Sequence, residues 1–175
     1  MQKALFLDRD GVINIDHGYV YKIEDFEFTE GIFELLRFFI EKGYLLFIVT
    51  NQSGIGRDYY SEEDFQVLTS WMLDEFKKEN IDIISVHHCN HSPEKNCACR
   101  KPQTGMIDKI LSQNVIDLGS SWLIGDKQSD IDLAKNSKIK NTIAIGERTI
   151  ENTSLSFKTI LECRDYFDDN KIKIL

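Results

Sequence analysis

Short continuous apolar runs alternate along this chain with longer stretches whose apolar residues recur at helical spacing. The runs are Ala4–Leu7, Leu45–Val49, Ile83–Val86, Trp122–Ile124 and Thr142–Ile145. They do not alternate apolar with polar, so they predict strands buried on both faces. Between them, Ile32–Glu41 places Ile32, Leu35, Leu36, Phe39 and Ile40 at helical spacing, with Gly43 as a C-cap just beyond. Ser61 opens Ser-Glu-Glu-Asp ahead of Phe65, Leu68, Trp71, Met72, Leu73 and Phe76, and Ser61 with Asp64 reads as an N-cap signal. Gly105–Gln113 and Ser129–Lys138 predict two further helices. In the tail, Phe157–Leu161 predicts a last strand and Cys163–Asn170 a short helix. Strand–helix alternation of this kind predicts an α/β fold with a largely parallel sheet.

The chain has 175 residues. That length predicts one domain over 1–175, able to bury roughly 70% of its unfolded surface without disulfide staples. With 42% hydrophobic and 29% charged residues it has the composition of a folded protein. Its 21 Lys+Arg against 29 Asp+Glu give a net charge of −8. That balance opposes a broad nucleic-acid or membrane-binding face. A small anionic substrate is still compatible, because a bound cation reverses the sign of one pocket. No apolar run approaches the ~20 residues of a membrane span. The opening MQKALFLDRDG lacks a signal peptide's apolar core and cleavage site, so a cytoplasmic location is expected. Nothing in the pattern asks for an obligate oligomer, and a monomer is the expectation.

The polar residues at the strand ends change the picture. The first strand ends at Asp8, with Asp10 two residues on. The second ends at Thr50-Asn51-Gln52-Ser53-Gly54, the third leads to Arg100-Lys101, and the fourth ends at Gly125-Asp126-Lys127. Each alone has an ordinary explanation: Asp-x-Asp-Gly as a turn, Thr-Asn as turn chemistry, a lone lysine as solvated surface. Together, and in order, they deliver Asp, Thr, Lys and Asp to the carboxyl edge of one sheet, where ligands of such sheets bind. Clustered Asp8, Asp10 and Asp126 require a cation, and oxygen ligands favour Mg²⁺ shared with a substrate phosphate. The Lys101 ammonium, the Thr50 hydroxyl and backbone N–H groups of Asn51–Gly54 suit phosphoryl oxygens. A metal-masked carboxylate is a competent nucleophile toward phosphorus, so the pattern points to an aspartyl-phosphate.

Four cysteines are present, and Cys89, Cys97 and Cys99 fall within eleven residues with His91 among them. Without an export signal, this spacing reads as a metal site and not as a disulfide framework. Cys89-x-His91-x5-Cys97-x-Cys99 offers the three thiolates and one imidazole of a closed tetrahedral Zn²⁺ site. His87 and His88 compete with His91 for the imidazole position. Cys163 stands apart and reads as a small buried hydrophobe.

The segments Asp8-Arg9-Asp10-Gly11-Val12-Ile13-Asn14, Thr50–Gly54, Arg100-Lys101-Pro102 and Gly125–Asp130 resemble the four motifs of the haloacid dehalogenase-like phosphatases. Asp16-His17-Gly18-Tyr19-Val20, Thr50–Ser53 and the Cys/His loop running into Cys99-Arg100-Lys101 are similar to the D-glycero-D-manno-heptose 1,7-bisphosphate and histidinol-phosphate phosphatases, Asp16–Tyr19 leaning toward the heptose enzymes. The resemblance implies a Rossmann-like three-layer sandwich without a cap domain. It implies Asp8 as nucleophile, Asp10 as general acid and then base, and Thr50 and Lys101 as stabilisers of the transferring group. Mg²⁺ would be held by Asp8, the Asp10 carbonyl and Asp126, and Asp130 would brace the fourth loop. Structural Zn²⁺ would be held by Cys89, His91, Cys97 and Cys99 in a loop spanning 89–99. Asp16, His17, Gly18, Tyr19, Thr50, Asn51, Gln52, Ser53, Arg100, Lys101 and Lys127 would contact a small sugar phosphate. The substrate it implies is the 7-phosphate of the heptose bisphosphate, with histidinol phosphate as the alternative. A phospho-accepting receiver domain and a zinc-stabilised binding module with a relict site rank below both. Intervals of 40 residues from Asp10 to Thr50 and 51 from Thr50 to Lys101 leave no room for an added domain of ~50 residues or more.

Overall fold

A computed structural model describes residues 1–170 of the chain, with the side chains of 169 and 170 left out. The single-domain expectation runs to residue 175 and so extends past the described residues.

Among the described residues six strands form one sheet in the order β3-β2-β1-β4-β5-β6, every neighbouring pair parallel. They are β1 (Lys3–Leu7), β2 (Tyr44–Asn51), β3 (Ile83–Cys89), β4 (Trp122–Gly125), β5 (Asn141–Ile145) and β6 (Leu155–Phe157). The helices are α1 (Ile32–Glu41), α2 (Ser53–Gly56), α3 (Glu62–Lys78), α4 (Gly105–Leu111), α5 (Gln128–Asn136) and α6 (Ile160–Asn170). Side chains alternate across the sheet and feed two cores. Leu5, Leu7, Leu46 and Ile48 face α1, α3 and α6 through Leu35, Phe39, Met72, Phe76 and Phe167. Ala4, Phe6, Phe47 and Val49 face α4 and α5 through Met106, Ile107, Ile110, Leu133 and Ala134. Helices on both faces give the expected three-layer α/β sandwich. Among the described residues no helix is long and apolar enough to cross a membrane.

The N-cap expected at Ser61 is a full capping box. Ser61 Oγ accepts from the Asp64 N–H, and the Asp64 carboxylate accepts from the Ser61 N–H. Two expectations are corrected. β2 and β3 run further than the apolar runs, so Thr50, Asn51, His87 and His88 are strand residues: the ladder continues through polar side chains at the sheet's carboxyl end. Phe157–Leu161 is not a strand, since β6 stops at Phe157 and α6 begins at Ile160. Thr159 Oγ1 accepts from the Glu162 N–H and Glu162 Oε2 from the Lys158 N–H, which starts the helix there. Ile160, Cys163 and Phe167 then fall on one buried stripe, a 3.6-residue period.

Candidate active site

The strand order reverses between β1 and β4, and the crevice beyond their carboxyl ends is where such sheets bind ligands. Asp8 comes directly after β1, and its N–H still donates to Ile124 O across the ladder at 3.0 Å. The carboxylate is therefore fixed above the middle of the sheet, and only 5% of Asp8 is exposed. Lys101 arrives from the loop after β3 and is 4% exposed. Its ammonium meets three oxygens: Asp8 Oδ1 at 2.9 Å, Asp130 Oδ1 at 2.6 Å and Val49 O at 3.0 Å. An ammonium has three hydrogens, so all are committed. Burial works against its charge, but Asp130 and Asp8 outweigh burial and hold Lys101 above its ordinary value. Asn51 clamps the Lys101 main chain, Oδ1 accepting from its N–H at 3.0 Å and Nδ2 donating to its carbonyl at 3.4 Å.

Asp126 comes directly after β4. One oxygen each of Asp8, Asp126 and Asp130 lies within 4.8 Å of the others. Burial and the neighbouring Asp8 charge raise Asp126 to about 7, against the pull of Lys127. Asp126 Oδ1 is buried without a hydrogen-bond partner. Crowded carboxylates with a buried oxygen that receives no hydrogen bond fit a hard divalent cation. Asp130, expected to brace the fourth loop, does so by accepting from the Lys127 N–H at 3.1 Å, and it is also the counter-ion of Lys101. A Cβ at Gly125 would lie 2.2 Å from Asp130 Cβ, so only glycine admits this approach.

Asp10 is surrounded by donors. Arg9 Nη2 and Asn14 Nδ2 donate to its Oδ1 at 2.9 and 3.0 Å, and Gln52 Nε2 donates to its Oδ2 at 2.9 Å. Arg9 is itself buried and donates to Val20 O at 2.6 Å, tying the loop after Asp16 to the site. Gln52, expected among the substrate contacts, has both ends of its amide committed inside the protein, to Asp10, Thr50 and Tyr60. Ser53 opens α2.

On the rim, Asp16 accepts from the Gly18 N–H and lies 3.5 Å from Lys127 Nζ, which is 3.6 Å from Asp126. Tyr19 takes a positive φ of 51° and meets Tyr59 edge-on at 4.8 Å. His17 is turned toward Glu27, 3.6 Å away, and lines a separate hollow with Glu24 and Asp25. Arg100 lines another with Asn96 and Cys97. Sequence reasoning missed Arg148, which stands 3.7 Å from Asp126 Oδ2. It lines a hollow of about 460 Å³ that contains Gly11, Asp16 and Asp126. A lone arginine after β5 carries no motif, so no signal marked it.

The Cys/His set converges. Cys89 Sγ lies 3.4 Å from Cys97 Sγ and 2.9 Å from Cys99 Sγ, and His91 Nδ1 lies 3.6 Å from Cys89 Sγ and 3.3 Å from Cys99 Sγ. The competing imidazoles are engaged elsewhere: His87 with Ser85 Oγ at 2.9 Å, His88 with Glu62 Oε1 at 2.7 Å. Partial burial pushes the Cys97 thiol up, but hydrogen bonds from Cys89, Cys99 and the backbone outweigh it and lower Cys97 to about 6. Three thiols and an imidazole around one point fit a tetrahedral, thiolate-preferring cation.

A family model described as polynucleotide kinase 3 phosphatase matches residues 6–160. A D-glycero-alpha-D-manno-heptose-1,7-bisphosphate 7-phosphatase of Campylobacter jejuni is 49% identical over 171 residues, covering 97% of this chain and 98% of that protein. A D-glycero-beta-D-manno-heptose-1,7-bisphosphate 7-phosphatase of Helicobacter pylori is 45% identical over 165 residues, covering 94% and 93%. A D,D-heptose 1,7-bisphosphate phosphatase from B. bronchiseptica, solved in complex with magnesium and phosphate, shares the fold at a TM-score of 0.84, with 20% identity and coverage of 95% and 98%. Near-half identity that runs almost end to end leaves the four strand ends and the Cys/His loop inside one shared framework, and the chain belongs to the heptose-1,7-bisphosphate 7-phosphatase family of haloacid dehalogenase-like phosphatases.

Proposed function

We propose that this enzyme hydrolyses the 7-phosphate of a D-glycero-D-manno-heptose 1,7-bisphosphate through an aspartyl-phosphate on Asp8. The observation that carries the reading is the Asp8 carboxylate, buried at the switch point, gripped by Lys101 and crowded by Asp126. An Asp8 oxygen attacks phosphorus as the bond to the sugar O7 breaks, and Asp10 delivers a proton to that oxygen. Asp10 then takes a proton from water, the water oxygen attacks phosphorus, and Asp8 leaves as a carboxylate. The Lys101 charge and a hydrogen bond donated by Thr50 Oγ1 stabilise the charge on the transferring group. Mg²⁺, held by the Asp8 and Asp126 carboxylates and the Asp10 carbonyl, would supply a Lewis acid that masks their mutual repulsion.

Asp16–Tyr19, Arg100 and Lys127 are the proposed sugar and distal-phosphate contacts. The Asp10–Thr50 interval holds α1 and most of β2, and the Thr50–Lys101 interval holds α2, α3, β3 and the Cys/His loop, which supports a site without a cap. The inferred enzyme is a single open domain that acts as a cytoplasmic monomer. A polynucleotide substrate is opposed by the net charge of −8. The test is phosphate release from the alpha and beta heptose bisphosphates and histidinol phosphate side by side. A kcat/KM favouring either heptose anomer by about a hundredfold is expected; the reverse preference overturns the assignment.

Zn²⁺ bound by Cys89, His91, Cys97 and Cys99 would fold a loop that has little core of its own. Cys99 lies two residues before Lys101, so this site sets where the catalytic lysine starts. Cys99→Ser is expected to lose the metal and to lower kcat by about 10–100-fold, the range seen when a metal-site support is removed. Metal analysis and kinetics on the same preparation check this, and unchanged values for both refute it.

A further inference from the structure

Tyr60 belongs to none of the four motifs, yet it is 6% exposed and is linked to Thr50 through one side chain. Its hydroxyl donates to Gln52 Oε1 at 2.5 Å. Gln52 Nε2 in turn donates to Asp10 Oδ2 and to Thr50 Oγ1, both at 2.9 Å. The direction of these bonds comes from chemistry. The proton that Asp10 passes to the leaving oxygen cannot also be spent on Gln52, so Asp10 Oδ2 accepts there and the end of the Gln52 amide that faces it is the NH₂ group. Its carbonyl then faces Tyr60, which has to donate. The second NH₂ hydrogen falls on Thr50 Oγ1, so the Thr50 hydroxyl is already an acceptor and its own hydrogen is left for another oxygen. Burial raises the Tyr60 phenol to about 12, although Arg9 pulls it down, so it remains a donor throughout the working range.

The chain is shaped around this arrangement. The Tyr60 ring stacks on Tyr21, with centroids 5.0 Å apart and planes 7° from parallel. The ring also lies against Gly54, where a Cβ would stand 2.1 Å from Tyr60 Cε1. Gly54 has no unusual backbone conformation, so the ring itself is the reason for the glycine.

We propose that Tyr60 and Gln52 are positioning residues. Through the Gln52 amide, Tyr60 fixes the Thr50 hydroxyl hydrogen toward the transferring phosphoryl group and holds the Asp10 carboxylate beside it. The inference rests on the phosphatase reading above, and wild-type turnover of a phosphate monoester tests that reading separately. Tyr60→Phe keeps the ring and its stack and removes only the donor, freeing the Gln52 amide to turn. It is expected to lower kcat about tenfold, the factor set by one hydrogen bond, while KM stays within about twofold. Inhibition by orthovanadate, which mimics the five-coordinate transition state, weakens in parallel, while inhibition by inorganic phosphate does not. In a Thr50→Val background the same substitution costs clearly less than in the wild type, because the hydroxyl it orients is gone and only the Asp10 contact is left to disturb. Gln52→Glu is a second probe: it still accepts from Tyr60 but has no hydrogens for Thr50, and it is expected to lose more than Tyr60→Phe. A Tyr60→Phe enzyme with wild-type kcat and vanadate inhibition overturns the proposal. So does a loss that multiplies undiminished on top of Thr50→Val.

Discussion

Asp8→Asn is expected to abolish turnover, by on the order of 10⁴-fold or more, while leaving the metal-free protein as stable as the wild type. The amide is a poor nucleophile and cannot be recovered as a leaving carboxylate, so both halves of the reaction fail. The fold does not need the charge. Lys101 keeps Asp130 at 2.6 Å and Val49 O at 3.0 Å. The Asp8 charge is one reason that Asp126 sits near 7, so its removal relieves crowding. Steady-state kinetics and thermal melts on the same preparation check both halves. A variant that retains a few per cent of wild-type kcat would place the phosphorylated group elsewhere.

Lys101→Met is expected to damage both activity and fold. Its ammonium is the positive charge proposed to stand beside the transferring phosphoryl group, and losing one such stabilising charge costs about 10²–10³ in kcat. It is also the buried counter-ion of Asp8 and Asp130. Removing one partner of a buried ion pair costs about 3–5 kcal/mol, here about 10 °C in Tm. The pH dependence carries the diagnosis. In the variant, two carboxylates face each other without a cation, and one takes up a proton more readily than in the unfolded chain. A carboxyl group whose folded value is raised contributes stability at low pH and loses it as pH rises. The variant should therefore approach wild-type stability near pH 5 and fall behind by pH 8, about the window for such a shift. In the wild type the raised Lys101 contributes stability that is fully present below the ordinary lysine value of 10.5 and is lost only at higher pH. Equal destabilisation at every pH would mean that the lysine acts by packing alone.

The sheet and the four motif ends were readable because an apolar run buried on both faces has a sharp signature, and in a parallel sheet its polar successor marks the functional edge. At that edge Lys101 lies 2.9 Å from Asp8, and one oxygen each of Asp8 and Asp126 lies within 4.8 Å of the other. The Cys/His set converges for the same reason that its spacing was conspicuous. Sequence pattern cannot show which buried polar groups share a proton or a charge. Asp130 lies 29 residues after Lys101, and only the packing of α5 over β4 brings the two to 2.6 Å. Tyr60 belongs to no motif, and Gln52 is expected at the substrate; the fold turns both inward and joins them. Phe157–Leu161 misled because a β-rich apolar run three to five residues long suits a strand or the first turn of a helix, and the Thr159–Glu162 cap decides it.

The strand that carries Asp8 is paired on both sides, to β2 and to β4, whereas the segments that form the rim belong to loops at residues 15–20 and 146–152. Floor and walls thus belong to different parts of the fold, joined through side-chain bonds such as that of Arg9 to Asp10 and Val20 O. Exchanging residues in the walls retunes which sugar is received without loosening the anvil on which every phosphate is struck, so relatives that differ in anomer can share one unaltered chemical step.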